Sequence, residues 1–232
     1  MTSTSVRSDR AGAGAQLVRD LLASYAASRR VGSVAVVGNA PLEPDAERAK
    51  QVDAADLVIR CNSFMLDDPG APPTQGSSVH AVVFSRGLLP TAYSFARYRD
   101  CAYLVTEPSR IYADAALARY VKEWPTWWPR DLGFLAVPNG PFTFPLLDEL
   151  GLPWRERLVV PTTGMMAIAI ARTCFPAADL MITGFSMIDQ PQQTEWRHQA
   201  GDSSPIGGAH YITAESRTLR RWIDNGEVRF VR

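Results

Sequence analysis

Leu158–Phe185, LVVPTTGMMAIAIARTCFPAADLMITGF, is the stretch whose reading decides the fold. It reads as the end of a strand at Leu158–Val160, a tight turn, an apolar helix, a break and a second strand over Leu180–Thr183. Pro161 offers no backbone donor and stops a ladder. Thr162 or Thr163 can cap a helix opening at Gly164, because a hydroxyl accepts a hydrogen bond from an orphan N–H. Met165–Ala171 is apolar on nearly every face, which predicts a helix buried between layers. Its start would present free N–H groups, two hydroxyls and the positive dipole end, and a glycine there lets a ligand approach the backbone. The same residues also describe a capped core helix with no ligand.

Working outward, 232 residues suit one large domain with a substantial core. Apolar content of 46% and charged content of 21% are those of a globular protein. Basic and acidic residues balance at 24 each, so no bulk field favours nucleic acid or an anionic membrane. No apolar run approaches the roughly 20 residues of a spanning helix. The N-terminal MTSTSVRSDRAGAGAQ lacks the apolar centre of a secretory signal. Cys61, Cys101 and Cys174 are an odd number in apolar contexts, more like reduced buried thiols than a disulfide frame. The expectation is a cytoplasmic protein with no membrane span.

Residues 1–14 are rich in Ser, Arg, Ala and Gly and are expected to be a disordered tail, with one domain over 15–232. Leu17, Val18, Leu21, Leu22 and Tyr25 sit at helical spacing. Strands are expected at Ser33–Val37, Leu57–Asn62, Val79–Phe84, Ala102–Thr106, Leu132–Val137 and Val228–Val231. Helices are expected at Asp45–Gln51, Thr91–Tyr98, Asp114–Glu123, Phe142–Leu150 and Ala214–Asn225. Met65–Ser78 holds three prolines and two glycines and reads as a loop, as does the polar Ser186–Ala209. The cluster Trp124, Pro125, Trp127, Trp128 and Pro129 reads as a lid or as a satellite core under a long loop.

Strands alternating with helices imply an α/β protein, a Rossmann-like α/β/α sandwich whose central sheet is mostly parallel. Ligands of such sheets sit at the carboxyl ends of strands near a topological switch point. Gly38–Asn39, Asn62 and Thr162–Gly164 all fall just past expected strand ends and can converge on one crevice.

VVGNAP lacks the G-x-G-x-x-G dinucleotide fingerprint, and neither Lys50 nor Lys122 follows a glycine run as in a P-loop. No D-x-D pair is present, so phosphate charge would be met by helix N–H groups, hydroxyls and histidine instead of a metal clamp. Asn39 and Asn62 carry amides that both donate and accept, as base or ribose recognition needs, and they also suit turns. His80 sits in an apolar strand and reads as a satisfied core or edge residue. His198 lies in TEWRHQ, where a solvated ring is the default. His210 opens HYITAE, with Glu215 five residues on; a histidine can take a proton from a hydroxyl, and a nearby carboxylate can orient it. No cysteine or histidine pair has zinc-ligand spacing.

Taken in order, these pieces resemble the animal-type sialyltransferases, glycosyltransferase family 29. VAVVGN followed by VDAADLVIRCN is similar to the long sialylmotif, with Val52, Asp53, Asp56, Val58, Arg60 and Asn62 at the matching spacing. PTTGM, Cys174 and Gly184–Phe185 resemble the short motif; TEWRH, with His198, resembles the third; His210 with Glu215 resembles the last, H-x4-E. The resemblance implies a GT-A variant fold and a metal-independent, inverting glycosyltransferase that uses a CMP-activated sugar and no further cofactor. It implies Asn39 and Asn62 at the cytidine nucleotide, Thr162, Thr163 and Gly164 at the ribose and phosphate, and His198 on the donor phosphate. His210 would be the base acting on an acceptor hydroxyl.

The chain departs from that pattern. Val34 stands where the family has a cysteine, so the disulfide joining the two large motifs is absent, as in a reducing compartment. Val160 replaces a frequent tyrosine, and the third motif has one histidine where two are common. An Ala- and Arg-rich, lysine-poor chain looks bacterial, and its sugar and acceptor are left open. Two other functions fit the same residues: a CMP-sugar or nucleotide hydrolase with water as acceptor, and a non-catalytic nucleotide-binding protein.

Overall fold

The computed structural model of the chain describes residues 3–85, 91–106 and 135–232. Seven parallel strands form one sheet: β1 (Ser33–Val37), β2 (Leu57–Cys61), β3 (Ala81–Phe84), β4 (Ala102–Thr106), β5 (Leu135–Val137), β6 (Asp179–Thr183) and, after a short hairpin, β9 (Arg229–Phe230). Their order is β5-β4-β3-β2-β1-β6-β9. The chain winds one way from β1 to β5, then returns to place β6 on the other side of β1. That reversal makes the gap beyond the carboxyl ends of β1 and β6 the topological switch point.

Strand residues divide by alternation, as the pleat requires. Val34, Val36, Leu57, Ile59, Val83 and Leu104 face a large core shared with helices α1 (Ser3–Tyr25), α4 (Thr163–Cys174) and α5 (Ile212–Asp224). Ala35, Val37 and Val58 face the opposite way, toward Val52 of helix α2 (Ala46–Asp53). Val82, Phe84, Tyr103 and Val105 bury Phe64 on that second side, and Tyr93, Phe95 and Tyr98 pack against them. Both faces are covered, which is why the central strands are mostly apolar, with Arg60 in β2 the charged exception. The short helix α3 (Thr143–Glu149) packs on α4, the helix read as buried, in which Met165–Ala171 is buried without a break.

Helix α1 spans Ser3–Tyr25, and near its middle Gly14 lies against the Pro138 and Pro141 side chains. Several expectations need correction. Residues 92–99 form successive turns, not a helix: the Ser94 hydroxyl accepts from the Thr91 N–H and the Thr91 hydroxyl from the Tyr93 N–H, local bonds that compete with helix geometry. Leu158–Val160 is not a strand: it runs outside the sheet, where the Val160 N–H donates to the Ala209 carbonyl at 2.9 Å. The polar stretch read as one loop holds a 3-10 turn at Ser186–Ile188 and an antiparallel hairpin of β7 (Glu195–Arg197) and β8 (Ser203–Pro205). The helix expected at Asp114–Glu123 and the Trp124–Pro129 cluster lie outside the described residues.

Two glycines allow the switch point to close. A Cβ on Gly38 would sit 2.2 Å from the Gly184 carbonyl oxygen, and one on Gly184, itself at φ 73°, would sit 2.8 Å from the Gly38 carbonyl oxygen. The clash is with backbone, so no side-chain rotation relieves it. Gly38→Ala is expected to lower stability by about 2–3 kcal/mol in urea unfolding, whereas Gly208→Ala, with open space around it, should stay within about 0.5 kcal/mol. Equal effects from the two would contradict this role for Gly38.

Candidate active site

A crevice of about 540 Å³ opens at the switch point. Asn39, Asn62, Thr162, Thr163, Gly164, His198 and His210 all line it, although they come from five separate places in the sequence. Asn39 follows β1 and donates through Nδ2 to the Cys61 carbonyl at 2.8 Å. Its Oδ1 is buried with no partner among the described residues, the kind of orphan acceptor that a ligand donor satisfies. Asn62 follows β2 at φ 42°, a left-handed conformation that asparagine tolerates better than most residues. Its Oδ1 accepts from the Ser85 N–H at 3.0 Å and its Nδ2 donates to Thr163 Oγ1 at 3.1 Å.

The start of α4 supplies donors. Thr162 is the N-cap, and its Oγ1 accepts from the Met165 N–H at 3.3 Å. The same hydroxyl donates to Glu215 Oε2 at 2.6 Å, and the Thr162 N–H donates to Glu215 Oε1 at 2.9 Å. Thr162 is thereby committed to the protein. The donors left to a ligand are the first-turn N–H groups of Thr163 and Gly164, which have no intrahelical acceptor, and the hydroxyl hydrogen of Thr163. Gly164 packs under Phe185: a Cβ there would meet the ring at 2.6 Å. The glycine near the start of the short motif and the phenylalanine at its end are thus two sides of one contact.

The two imidazoles have contrasting surroundings. His210 is half-buried and its Nδ1 lies 2.7 Å from the Val160 carbonyl. A carbonyl only accepts, so Nδ1 carries the hydrogen and Nε2 keeps its lone pair. Burial holds this histidine below its ordinary value of 6.5, with the Val160 bond opposing. His198 stands at the end of β7, with Nδ1 2.7 Å from Asp202 Oδ2. His80 lies away from the crevice; its Nδ1 accepts from the Val58 N–H at 2.9 Å, so it is a satisfied structural residue.

Glu215 does not take the expected place beside His210. It is fully buried in the first turn of α5, with both carboxylate oxygens turned to Thr162, and the Val160 carbonyl orients the imidazole instead. Burial raises Glu215 from 4.5 to about 7, while the Thr162 bonds pull the other way. The folded chain therefore holds a proton that the unfolded chain releases between those two values. The contribution of Glu215 is greatest below pH 4.5, declines by roughly 3 kcal/mol as pH rises to about 7, and is level above that. Urea unfolding at pH 5 and pH 7.5 should show wild type losing stability relative to Glu215→Gln over this interval. Parallel pH dependence of the two would contradict the burial argument.

The crevice is completed by residues to which the sequence reading assigned no role. Trp196, Arg197, Ser204 and Pro205 come from the hairpin, and Leu158 and Met187 add apolar surface. Among the described lining residues there is no aspartate or glutamate, and Arg197 is the one arginine. The three cysteines are free and buried; burial pushes Cys61 and Cys174 up to about 12 and Cys101 to about 11, so none is a reactive thiol. No described helix is long and apolar enough to cross a membrane.

A doubly wound parallel sheet with a polar crevice at its switch point defines the Rossmann-like α/β class. Within that class, the chain has the fold of a mammalian sialyltransferase of known crystal structure, with a TM-score of 0.52 and 15% identity over 94% of this chain and 78% of that one. A mammalian sialyltransferase in complex with Gal-beta-1-3GalNAc-ortho-nitrophenol aligns at a TM-score of 0.48 and 16% identity, over 86% of this chain and 68% of that one. No protein-family model matches the chain, and no curated protein matches its sequence.

Proposed function

We propose that this protein is a glycosyltransferase that moves a sugar from a CMP-activated donor to a hydroxyl acceptor, by inversion and without a metal ion. The observation that carries this reading is that two amides, a helix start and two imidazoles meet in one crevice. The likeness in fold to a sialyltransferase supports it, and the order of the sequence motifs agrees. Asn39 and Asn62 face the cytidine. The Thr163 and Gly164 N–H groups, the Thr163 hydroxyl and His198 meet the phosphate.

His210 Nε2 takes the proton from the acceptor hydroxyl while that oxygen attacks the anomeric carbon. The bond from that carbon to the CMP phosphate oxygen breaks, and its electron pair leaves with CMP. One displacement inverts the configuration. CMP departs with one more negative charge than it carried in the donor, and the donors at the start of α4 and on His198 stabilise that charge. His210 then returns its proton to solvent. The three free cysteines suit a reducing compartment.

Incubation with CMP-sugars, with and without a panel of hydroxyl acceptors, tests this reading. Acceptor-dependent CMP release with a product of inverted anomeric configuration is expected. Release at the same rate with water alone would instead make the protein a hydrolase.

A further inference from the structure

The hairpin of β7 and β8 places His198 in the crevice, yet two short strands alone hold their position weakly. Its location comes from a few long-range bonds. The Gln199 N–H donates to the Asn39 carbonyl at 2.7 Å, and Gln199 Oε1 accepts from the Leu42 N–H at 2.9 Å. The residue after His198 is thus clasped to the segment that follows β1. Within the hairpin, the His198 N–H donates to the Asp202 carbonyl at 3.0 Å, and the Gly201 N–H to the His198 carbonyl at 2.9 Å. Trp196 and Ile206 anchor the hairpin on the main core.

These bonds fix the backbone of His198 but leave the ring free to rotate about its side-chain torsions. Among the described residues the ring is set by one contact, Nδ1 to Asp202 Oδ2 at 2.7 Å. A carboxylate only accepts, so Nδ1 carries a hydrogen and the ring turns its Nε2 edge away from Asp202. For Nε2 also to donate to a phosphate oxygen, the ring must carry a positive charge. Asp202 supplies the countercharge on the side away from the ligand.

We propose that Asp202 is a positioning residue, which holds the His198 ring so that its second nitrogen donates to the phosphate of a cytidine monophosphate in the crevice. This rests on the nucleotide reading of the site and goes beyond it. Asp202→Asn keeps every backbone bond of the hairpin and removes the carboxylate alone, so the hairpin is expected to stay folded.

The test compares CMP with cytidine by calorimetry, in wild type, His198→Ala, Asp202→Asn and Asp202→Ala, with melting temperatures alongside. The ratio of the two affinities isolates the phosphate. Asp202→Asn and Asp202→Ala should each lower the advantage of CMP over cytidine by about tenfold, approaching His198→Ala, with cytidine affinity within about twofold of wild type. If His198→Ala loses that advantage and both Asp202 variants keep it, Asp202 does not position the ring. If CMP and cytidine weaken equally in the Asp202 variants, or the melting temperature alone falls, Asp202 only holds the hairpin together and the proposal is overturned. If wild type binds neither ligand, the nucleotide reading itself fails, and this proposal with it.

Discussion

His210→Ala is expected to lower the rate of CMP release from a CMP-sugar by about 10²- to 10⁴-fold, while the Kd for CMP changes by no more than about twofold. The split follows from where the ring stands. Nδ1 is committed to the Val160 carbonyl, so the free lone pair of Nε2 is the group's only chemical resource. Removing it takes away proton transfer but leaves Asn39, Asn62, Thr163, Gly164 and His198 in the crevice. The same placement fixes the pH profile. Burial disfavours the charged ring, so the acid limb of the wild-type rate should fall at a pH below 6.5 and be missing in the variant. Stopped assays for CMP over pH 4.5–8, paired with calorimetry, measure both. A variant rate within threefold of wild type would remove His210 from the chemistry.

The largest effect on stability is expected at Arg60. Its side chain is fully buried under Met65–Ser78. It donates to four carbonyls: Ser78 at 2.9 Å, Met65 at 3.2 Å, and Gln75 and Gly76 at 3.0 Å each. The N–H groups of the same segment go to two carboxylates. Asp67 takes Thr74, Gln75 and Gly76, and Asp53 takes Ser77 and Ser78. A proline-rich loop with no ladder of its own is thus wrapped around one guanidinium. Burial pushes that guanidinium down to about 10, and Asp53 and Asp67 oppose the shift. Arg60→Leu fills much of the volume but orphans four acceptors and leaves both carboxylates without their countercharge. The expected loss is about 3–5 kcal/mol, a fall in Tm on the order of 10 °C for a chain of this size. Arg60→Lys should recover little, because an ammonium cannot span four carbonyls. A loss under 1 kcal/mol for Arg60→Leu would mean the loop is held by something else.

Arg60 also shows what a motif conveys. In D-x-x-D-x-V-x-R-x-N, the residues that look most chemical are scaffold. Asp53 and Arg60 hold the loop, and Asp56 accepts from the Gly32 and Ser33 N–H groups at 2.9 Å to fix the start of β1. Asn62 alone reaches the crevice. The sheet was legible because buried parallel strands are short apolar runs followed by Gly or Asn, and the strand-end rule then brought Asn39 and Asn62 together, whereas Gly164 joins them from the first turn of α4. Leu158–Val160 misled for the same reason, since periodicity cannot tell three apolar residues in a strand from a segment that turns Leu158 and Val160 to a crevice and buries Val159 beside Leu147 and Trp154. The partner of Glu215 was hidden because spacing reports neighbours along one helix. Its contact with Thr162 joins residues far apart in the chain, and no local pattern encodes it. Asp202 and Gln199 were overlooked in a stretch that reads as polar loop, where only the hairpin gives their side chains direction.

The central claim is that the crevice at the switch point is built for a cytidine monophosphate. Calorimetric titration of CMP, CDP, UDP and GDP into the wild-type protein tests it most directly. The account predicts that CMP binds with the highest affinity of the four and that Asn39→Ala weakens it. Absence of heat with CMP, or tighter binding of UDP or GDP, would contradict it.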